Sequence, residues 1–180
     1  MTLMQLRKDL EPDFETAEKR YPAVLKILRD YETLCEEHGD SDGGFIKYTI
    51  LDEKLEALTG KKMPSIHLYA FHHYEWWEDE GALFLSFRIA LPNPKKVDFI
   101  DKEELLEIIR RIEEPFQSSK DDPANEFKTT FAQNLTDYYH SLLSLNFKNY
   151  KMEYFHSQPG NDGSCFGYST EDKARKIMGI

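Results

Sequence analysis

The sequence predicts an α+β fold, in which a small antiparallel sheet is built around a hairpin at residues 66–91 and helices pack on at least one face. Two observations favour this fold class. Apolar residues recur at helical spacing in several segments, whereas residues 82–91 alternate between aliphatic and mixed side chains. With 180 residues, of which 40% are hydrophobic and 13% aromatic, the chain is expected to form a single domain over residues 1–180.

Two helices are predicted in the first third of the chain. Apolar side chains recur at helical spacing up to His38. The first helix is therefore expected to begin at Pro12 or Pro22 and to end at His38. A second, short helix is expected after a pair of capping residues within 49–52, and Gly60 is expected to end it.

The hairpin is predicted from two strands, 66–77 and 82–91, and its register depends on the turn between them. A three-residue loop would place the Glu75 carboxylate beside the aliphatic row of the second strand. An unpaired carboxylate in an apolar layer costs several kcal/mol, whereas turn types differ by about 1 kcal/mol or less. The four-residue loop from Glu78 to Gly81 is therefore preferred, with Gly81 at positive φ and His73 opposite Ser86.

Helices are predicted again after the sheet. Residues 101–114 carry an apolar stripe, with Asp101 as the N-cap and Pro115 as the stop. A long helix is expected over residues 127–145, and a strand over residues 150–156. The last helix is expected to begin at a capping pair, Ser169 and Asp172, and to end near Met178. The helix predicted over residues 127–145 is expected to bury Phe127, Phe131, Leu135, Tyr138, Leu142 and Leu145.

One face of the predicted hairpin is the candidate binding face. Aromatic residues and arginine are enriched at binding hot spots, which favours recognition of a partner at this face. The alternative is that a helix covers it. On the preferred register the face comprises Tyr69, Phe71, His73, Glu75, Trp77, Phe84, Ser86 and Arg88.

Catalysis on the same face is a second hypothesis. A carboxylate beside an imidazole orients it and raises its basicity, so His73 and Glu75 are candidates for a general acid–base pair. The two residues lie close enough to be two ligands of one metal ion, but the sequence does not indicate a third ligand, so no metal and no cofactor are predicted.

Cys165 is the other candidate for chemistry. Residues 162–166, DGSCF, resemble the catalytic-cysteine motif of ovarian-tumour-type deubiquitinating proteases, where the cysteine opens a helix and a downstream histidine is its base. No histidine follows Cys165 in this sequence, so a thiol mechanism would have to use His140 or His156 instead. The alternative is an inert thiol in a glycine-rich turn.

Charge and composition limit the class of partner. The net charge of −10 and a pI near 5.1 argue against binding to duplex nucleic acid, which requires clustered Lys and Arg. Acidic residues at 36–42 and 78–80 favour a basic protein partner. No apolar run is long enough for a membrane span or a secretory leader, and two cysteines are too few for a disulfide scaffold, so a cytoplasmic protein is expected.

These observations support two functional hypotheses. The first is a non-enzymatic cytoplasmic module that binds or inhibits a protein partner through the aromatic and arginine face. The second is a small hydrolase or transferase that uses His73 with Glu75, or Cys165 with a histidine. The sequence contains no phosphate-binding loop, dinucleotide fingerprint or nucleophile elbow that would identify a more specific activity.

Overall fold

The computed structural model describes residues 5–38, 44–62, 74–114, 126–159 and 165–180, and within these ranges the protein is mostly helical. The α-helices are α1 (Phe14–His38), α2 (Gly44–Thr59), α3 (Tyr74–Ala90), α4 (Lys102–Glu113), α5 (Glu126–Phe131), α6 (Thr136–Asn146) and α7 (Thr170–Met178). The other elements are two 3₁₀-helices, η1 (Ala132–Asn134) and η2 (Met152–Phe155), and two strands, β1 (Gln158–Pro159) and β2 (Cys165–Phe166).

The predicted α+β fold is wrong. In the described part of the chain the strands have two residues each, which pair antiparallel with Gln158 opposite Phe166 but are too short to form a layer. The predicted second strand and residues 74–77 of the first lie in α3, while residues 66–73 lie outside the described residues. The strand predicted at 150–156 is also absent, because most of it forms η2.

Burial on several sides explains why α3 resembled a strand. Leu85, Ser86, Phe87, Ile89 and Ala90 are all buried, so this part of the helix has no single apolar stripe. Without such a stripe, the alternation of aliphatic residues at 83–91 fitted a strand equally well.

The positive φ predicted for Gly81 is confirmed, at φ 73° and ψ 158°. This backbone conformation is accessible essentially only to glycine. The residue interrupts α3 and therefore connects two helical segments, whereas the hairpin prediction had placed it between two strands.

Residues Asp13–Pro92 form one compact unit, here called the α1–α3 unit. Asp13 begins α1, since its carboxylate accepts a bond of 3.0 Å from the backbone N–H of Thr16. The predicted helix ends at His38 and Gly60 are confirmed, but α2 already starts at Gly44 rather than at a cap within 49–52. Helices α1, α2 and α3 share an apolar core of Val24, Leu28, Leu51, Leu55, Leu85, Ile89 and Ala90.

Residues Met1–Pro12 and Asn93–Ile180 form the second compact unit, the α4–α7 unit. Its central helix α4 contacts α6 and α7 and buries the predicted stripe, and the capping box predicted at Asp101 is present with Glu104. The predicted Ser169 cap of α7 is also confirmed. The buried apolar residues of this unit are Leu6, Leu10, Ile100, Leu105, Ile108, Ile109, Ile112, Phe131, Ala132, Leu135, Tyr139, Leu142, Leu143, Ala174 and Ile177.

The long helix predicted over residues 127–145 is interrupted. Helix α5 ends at Phe131 and η1 follows, so α6 begins with a different helical phase. As a result Tyr139 and Leu143 are buried, whereas Leu145, a predicted core residue, is 45% exposed.

Two further predictions concern the chain as a whole. That residues 1–180 fold as one domain stays a prediction, because contacts in the folded state do not measure whether either unit folds alone. None of the helical segments in the described ranges combines the length and the apolar character needed to cross a bilayer.

Candidate functional site

The predicted binding face does not exist as a strand face in the part of it that the structure describes. Phe84, Ser86 and Arg88 lie on α3, where successive residues are rotated by about 100°, so these three side chains do not share one face. Ser86 is fully buried and donates a hydrogen bond of 2.6 Å to the Ala82 carbonyl. Phe84 and Arg88 are half-buried.

The other five residues of the predicted binding face lie in the part of the chain whose side chains the structure does not describe. Tyr69, Phe71 and His73 lie outside the described residues, and only the backbone of Glu75 and Trp77 is described, in the first segment of α3. The predicted pairing of His73 with Ser86 is wrong, because it required a strand at residue 86. A binding or acid–base role for these residues stays a prediction.

Cys165 lies in β2, unlike the cysteine of the protease motif, which opens a helix. Cys165 lies opposite Pro159, and His156 precedes Pro159 by three residues in the sequence. The ring of His140 contacts Tyr150 and Phe155. A thiol mechanism with either histidine stays a prediction.

An open groove lies on the α4–α7 unit, formed by two shallow pockets that meet at Tyr168. We call it the Tyr168 groove. One pocket, of about 450 Å³, is lined by Phe166, Gly167, Tyr168, Asp172, Arg175, Lys176 and Ile180. The other, of about 650 Å³, is lined by Ser144, Tyr150, Lys151, Met152, Glu153, Tyr154 and Tyr168.

Three aromatic rings and one ammonium group form the centre of the Tyr168 groove. The rings of Tyr154 and Phe166 each meet the Tyr168 ring edge-to-face, with centroids 6.1 and 5.8 Å away. The Lys176 ammonium lies 4.4 Å from the Tyr168 centroid and 5.5 Å from that of Tyr154, within the range of a cation–π interaction. The groove therefore offers apolar walls and a cationic donor at one point.

A buried lysine holds Tyr168 in position. Lys173 on α7 is only 5% exposed, and its ammonium binds both the Glu113 carboxylate at the end of α4 and the backbone carbonyl of Tyr168. Glu113 also accepts a bond of 2.8 Å from the Thr170 hydroxyl. Because a buried ion pair tolerates little displacement, Tyr168 is anchored to the helical core through its own backbone.

A histidine supports the other wall of the groove. His140 Nδ1 and the hydroxyl of Tyr150 share a hydrogen bond of 2.7 Å, and the His140 ring packs edge-to-face on Phe155. Burial lowers the pKa of His140, and burial raises the pKa of Tyr150 to about 12. Both groups are therefore neutral near pH 7 and add no charge to the groove.

The charge of the groove lining differs in sign from that of the whole chain. The lining contains three cationic residues, Lys151, Arg175 and Lys176, and two carboxylates, Glu153 and Asp172. Asp172 already binds the Arg175 guanidinium and caps α7. The chain as a whole carries −10, so the groove is a locally cationic region of an acidic protein.

The described residues provide no evident metal site. Over the ranges that can be described, no three His, Cys, Asp or Glu side chains are grouped so that they could hold an ion. The lining side chains of the groove offer apolar contact and, from their cationic groups, hydrogen bonds to anions.

Sequence reasoning missed the Tyr168 groove, although its components were visible. Tyr150, Tyr154, Phe166 and Tyr168 and several lysines all occur within residues 148–176, in a chain that is otherwise strongly acidic. This local change in composition was the available evidence. The composition did not indicate that η2 and β2 pack against α7, and this packing brings the residues together.

Comparison of the chain with protein-family models, with curated proteins and with solved structures finds no match. Arguments about function therefore rest on the residues of this chain alone.

Proposed function

We propose that the protein is a non-enzymatic, cytoplasmic module that binds or inhibits a protein partner, and that the Tyr168 groove receives an extended, acidic segment of that partner. The observation that carries the proposal is the position of Lys176, whose ammonium lies over Tyr168 and beside Tyr154 where the two pockets meet. An ammonium in this position can donate to a carboxylate while the rings contact the apolar side chains on either side of it.

The surface chemistry of the groove supports a protein partner. Phe166 is 47% exposed and Met152 is 45% exposed, so both apolar side chains are accessible to a partner. Aromatic residues, Met and Arg are the types enriched at the centres of protein interfaces. The anchoring of Tyr168 through Lys173 supports this further, since a preorganised surface loses less side-chain entropy on binding.

Charge selects the kind of segment. The cationic lining complements carboxylates, and complementary potentials improve both the association rate and the discrimination between partners. The basic partner expected from the acidic residues at 36–42 and 78–80 stays a separate prediction, because no side chain in those ranges is described.

Direct titration tests the proposal. Short synthetic peptides that alternate Glu with Leu or Tyr are compared with matched peptides in which Lys replaces Glu, by fluorescence anisotropy at physiological salt. We expect the acidic peptides to bind more tightly. Tyr168→Ala should weaken their binding about tenfold or more, as expected for a central interface aromatic, and Lys176→Met should reduce the preference for Glu over Lys.

Lys148→Met is the matched control, since Lys148 is exposed, lies in the same segment and does not line the groove. Its affinity should stay within about twofold of the wild type, because a lysine outside the interface contributes only a screened, distant charge. Equal binding of acidic and basic peptides, or equal affinity of the Tyr168→Ala variant and the wild type, would contradict the proposal.

A further inference from the structure

The two-stranded sheet of the α4–α7 unit lies beside the Tyr168 groove. Strands β1 and β2 pair antiparallel, with Gln158 opposite Phe166 and Pro159 opposite Cys165. In such a pair, opposite residues that exchange two backbone hydrogen bonds alternate with opposite residues that exchange none. Because Pro159 has no N–H, it cannot exchange two bonds with Cys165, so Gln158 and Phe166 form the pair that does.

This alternation sets the direction of the next residue, Gly167. Its N–H and C=O point away from β1, and neither group has a hydrogen-bond partner within the described part of the chain. Gly167 is exposed and lines the pocket of about 450 Å³, and since it has no side chain, its backbone forms that part of the lining. A Cβ added there would meet no atom within 4 Å. The two unpaired backbone groups are therefore accessible from the groove.

Three aromatic rings beside Gly167 have a spacing similar to that of strand side chains. The ring centroids of Phe166 and Tyr168 are 5.8 Å apart, and the Tyr154 centroid lies 6.1 Å from that of Tyr168. Side chains two residues apart in a strand face the same way at a separation of about 6.4–6.8 Å. Phe166 lines one pocket, Tyr154 lines the other, and Tyr168 lines both, with the Lys176 ammonium 4.4 Å from its ring centroid. Successive groove-facing side chains of an added strand would thus each meet one ring.

We infer that the partner segment binds as a third strand, added to β2 through the backbone of Gly167. The inference rests on the proposed function and states how the segment binds and which sequence it needs. Main-chain hydrogen bonds to Gly167 hold the segment extended, and pockets for alternate side chains select its sequence. The groove-facing side chains are apolar, acidic and apolar in turn, because the middle one meets the Lys176 ammonium and the outer two meet Phe166 and Tyr154. The residues between them face away from the groove and are not selected.

Backbone methylation of a peptide tests the inference with the full chain. The probe is the blocked peptide Thr-Leu-Thr-Glu-Thr-Leu-Thr, titrated by fluorescence anisotropy. In an antiparallel strand, the N–H groups that reach Gly167 belong to the threonines beside Glu, whose side chains face away from the groove. Methylating those two nitrogens should weaken binding about tenfold or more, because a strand hydrogen bond is lost and the methyl group blocks the edge. Methylating the nitrogens of Glu and one Leu should change the affinity by about twofold or less.

The outcomes separate this inference from the proposed function. Loss confined to the peptide methylated at Glu and Leu would also support strand addition, in the parallel direction. Equal loss or equal tolerance in the two methylated peptides would overturn the inference, while binding of the unmethylated peptide would leave the proposed function intact. If the unmethylated peptide does not bind, the proposed function fails and the inference fails with it.

Variants at one position locate the edge. Gly167→Pro removes the N–H and should weaken binding of the unmethylated peptide about tenfold. Gly167→Ala is the matched control, because it keeps the N–H and its Cβ meets no atom, and its affinity should stay within about twofold of the wild type. Wild-type affinity in Gly167→Pro would overturn the inference. Should Gly167→Pro lower the Tm, the methylated peptides decide with the wild-type chain. A wild-type dimer that Gly167→Pro dissociates, seen by analytical ultracentrifugation, would assign the edge to a second copy and overturn the inference.

Discussion

Helix α3 has 17 residues and α4 has 12, and both contribute to apolar cores, but the sequence predicts only one of them as a helix. Helix α4 begins at a reciprocal capping box and buries a regular stripe, so its type and ends were predicted. Helix α3 is interrupted by Gly81 and is buried on several sides, so its residues fitted a strand. The difference teaches that local caps and a one-sided stripe identify a helix, whereas burial on many sides removes that information.

The largest expected effect tests the burial pattern along α3. The strand prediction placed Leu83 and Phe87 on one apolar face, whereas in α3 Phe87 is fully buried and Leu83 is 48% exposed. Phe87→Ala should destabilise the protein by about 3–5 kcal/mol, because its ring packs on Phe14 with centroids 5.7 Å apart. Urea unfolding measures the loss.

Leu83→Ala is the matched comparison and should change stability by less than about 0.5 kcal/mol, as at an ordinary surface position. Similar large losses in both variants would contradict the exposure of Leu83 in α3.

The next effect concerns the polar side of α4, which Arg111 connects to other segments. Arg111 donates to Glu11 at 2.9 Å, to Glu107 at 2.8 Å and to the Tyr139 hydroxyl at 2.7 Å, with its side chain 15% exposed. Arg111→Met should cost about 2–4 kcal/mol, because it leaves the Glu11 carboxylate and the buried Tyr139 hydroxyl without this donor. Chemical denaturation at neutral pH measures it.

Arg110→Met provides the control for Arg111. Arg110 also binds Glu107, at 2.7 and 2.9 Å, but its side chain is 29% exposed, and its second ion pair, at 3.8 Å, is with Glu114, four residues further along the chain. We expect a loss of about 1 kcal/mol or less, because exposed pairs contribute little. An equal loss in the two variants would show that the long-range contacts to Glu11 and Tyr139 add nothing.

A smaller effect is expected where α3 departs from helical geometry. Gly81 has φ 73° and ψ 158°, and a Cβ added there would meet no atom within 4 Å. Gly81→Ala should therefore cost about 1–3 kcal/mol through backbone strain alone. Gly167→Ala is the control, because a Cβ there also meets nothing within 4 Å and φ is not in the left-handed region. We expect this variant to be nearly as stable as the wild type when both variants are compared by thermal unfolding. Equal stability of the two variants would argue against the break in α3.

The smallest effect tests the local start of α4. The Asp101 carboxylate accepts from the Glu104 N–H at 2.8 Å, and the Glu104 carboxylate accepts from the Asp101 N–H at 3.0 Å. Asp101→Ala should cost about 1 kcal/mol, and Asp101→Asn much less, because asparagine is also a good N-cap. If both variants matched the wild type in denaturant midpoint, the capping box would not contribute to stability.

The confirmed parts of the fold share a physical reason. Capping boxes, terminal glycines and one-sided stripes act between residues three or four positions apart, so they are legible in a single sequence. The ends at His38 and Gly60, the whole of α4 and the cap of α7 are of this kind. The interruption between α5 and α6 carried no such local mark. Leu142 was therefore correctly predicted as a core residue of α6, but Leu145 was not, and the buried Tyr139 and Leu143 were missed.

Function depends still more on distant contacts. The Tyr168 groove joins η2, β2 and α7, and its centre exists only because Lys176 reaches two tyrosines separated along the chain. The Lys61 ammonium likewise joins the turn after α2 to the end of α3, where Pro92 leaves the Arg88 carbonyl without its helical donor. In each case the residue types were visible, but their proximity was not.

By itself, the sequence determined the acidic character of the protein, most helix ends in its described part and the positive φ of Gly81, because these follow from composition or from interactions within one turn. Only the tertiary structure decided that residues 82–90 are helical and that the rings of Tyr154, Phe166 and Tyr168 meet the Lys176 ammonium in one groove. The physical reason is that burial on several sides and contacts between distant segments leave no periodic pattern for a sequence to display.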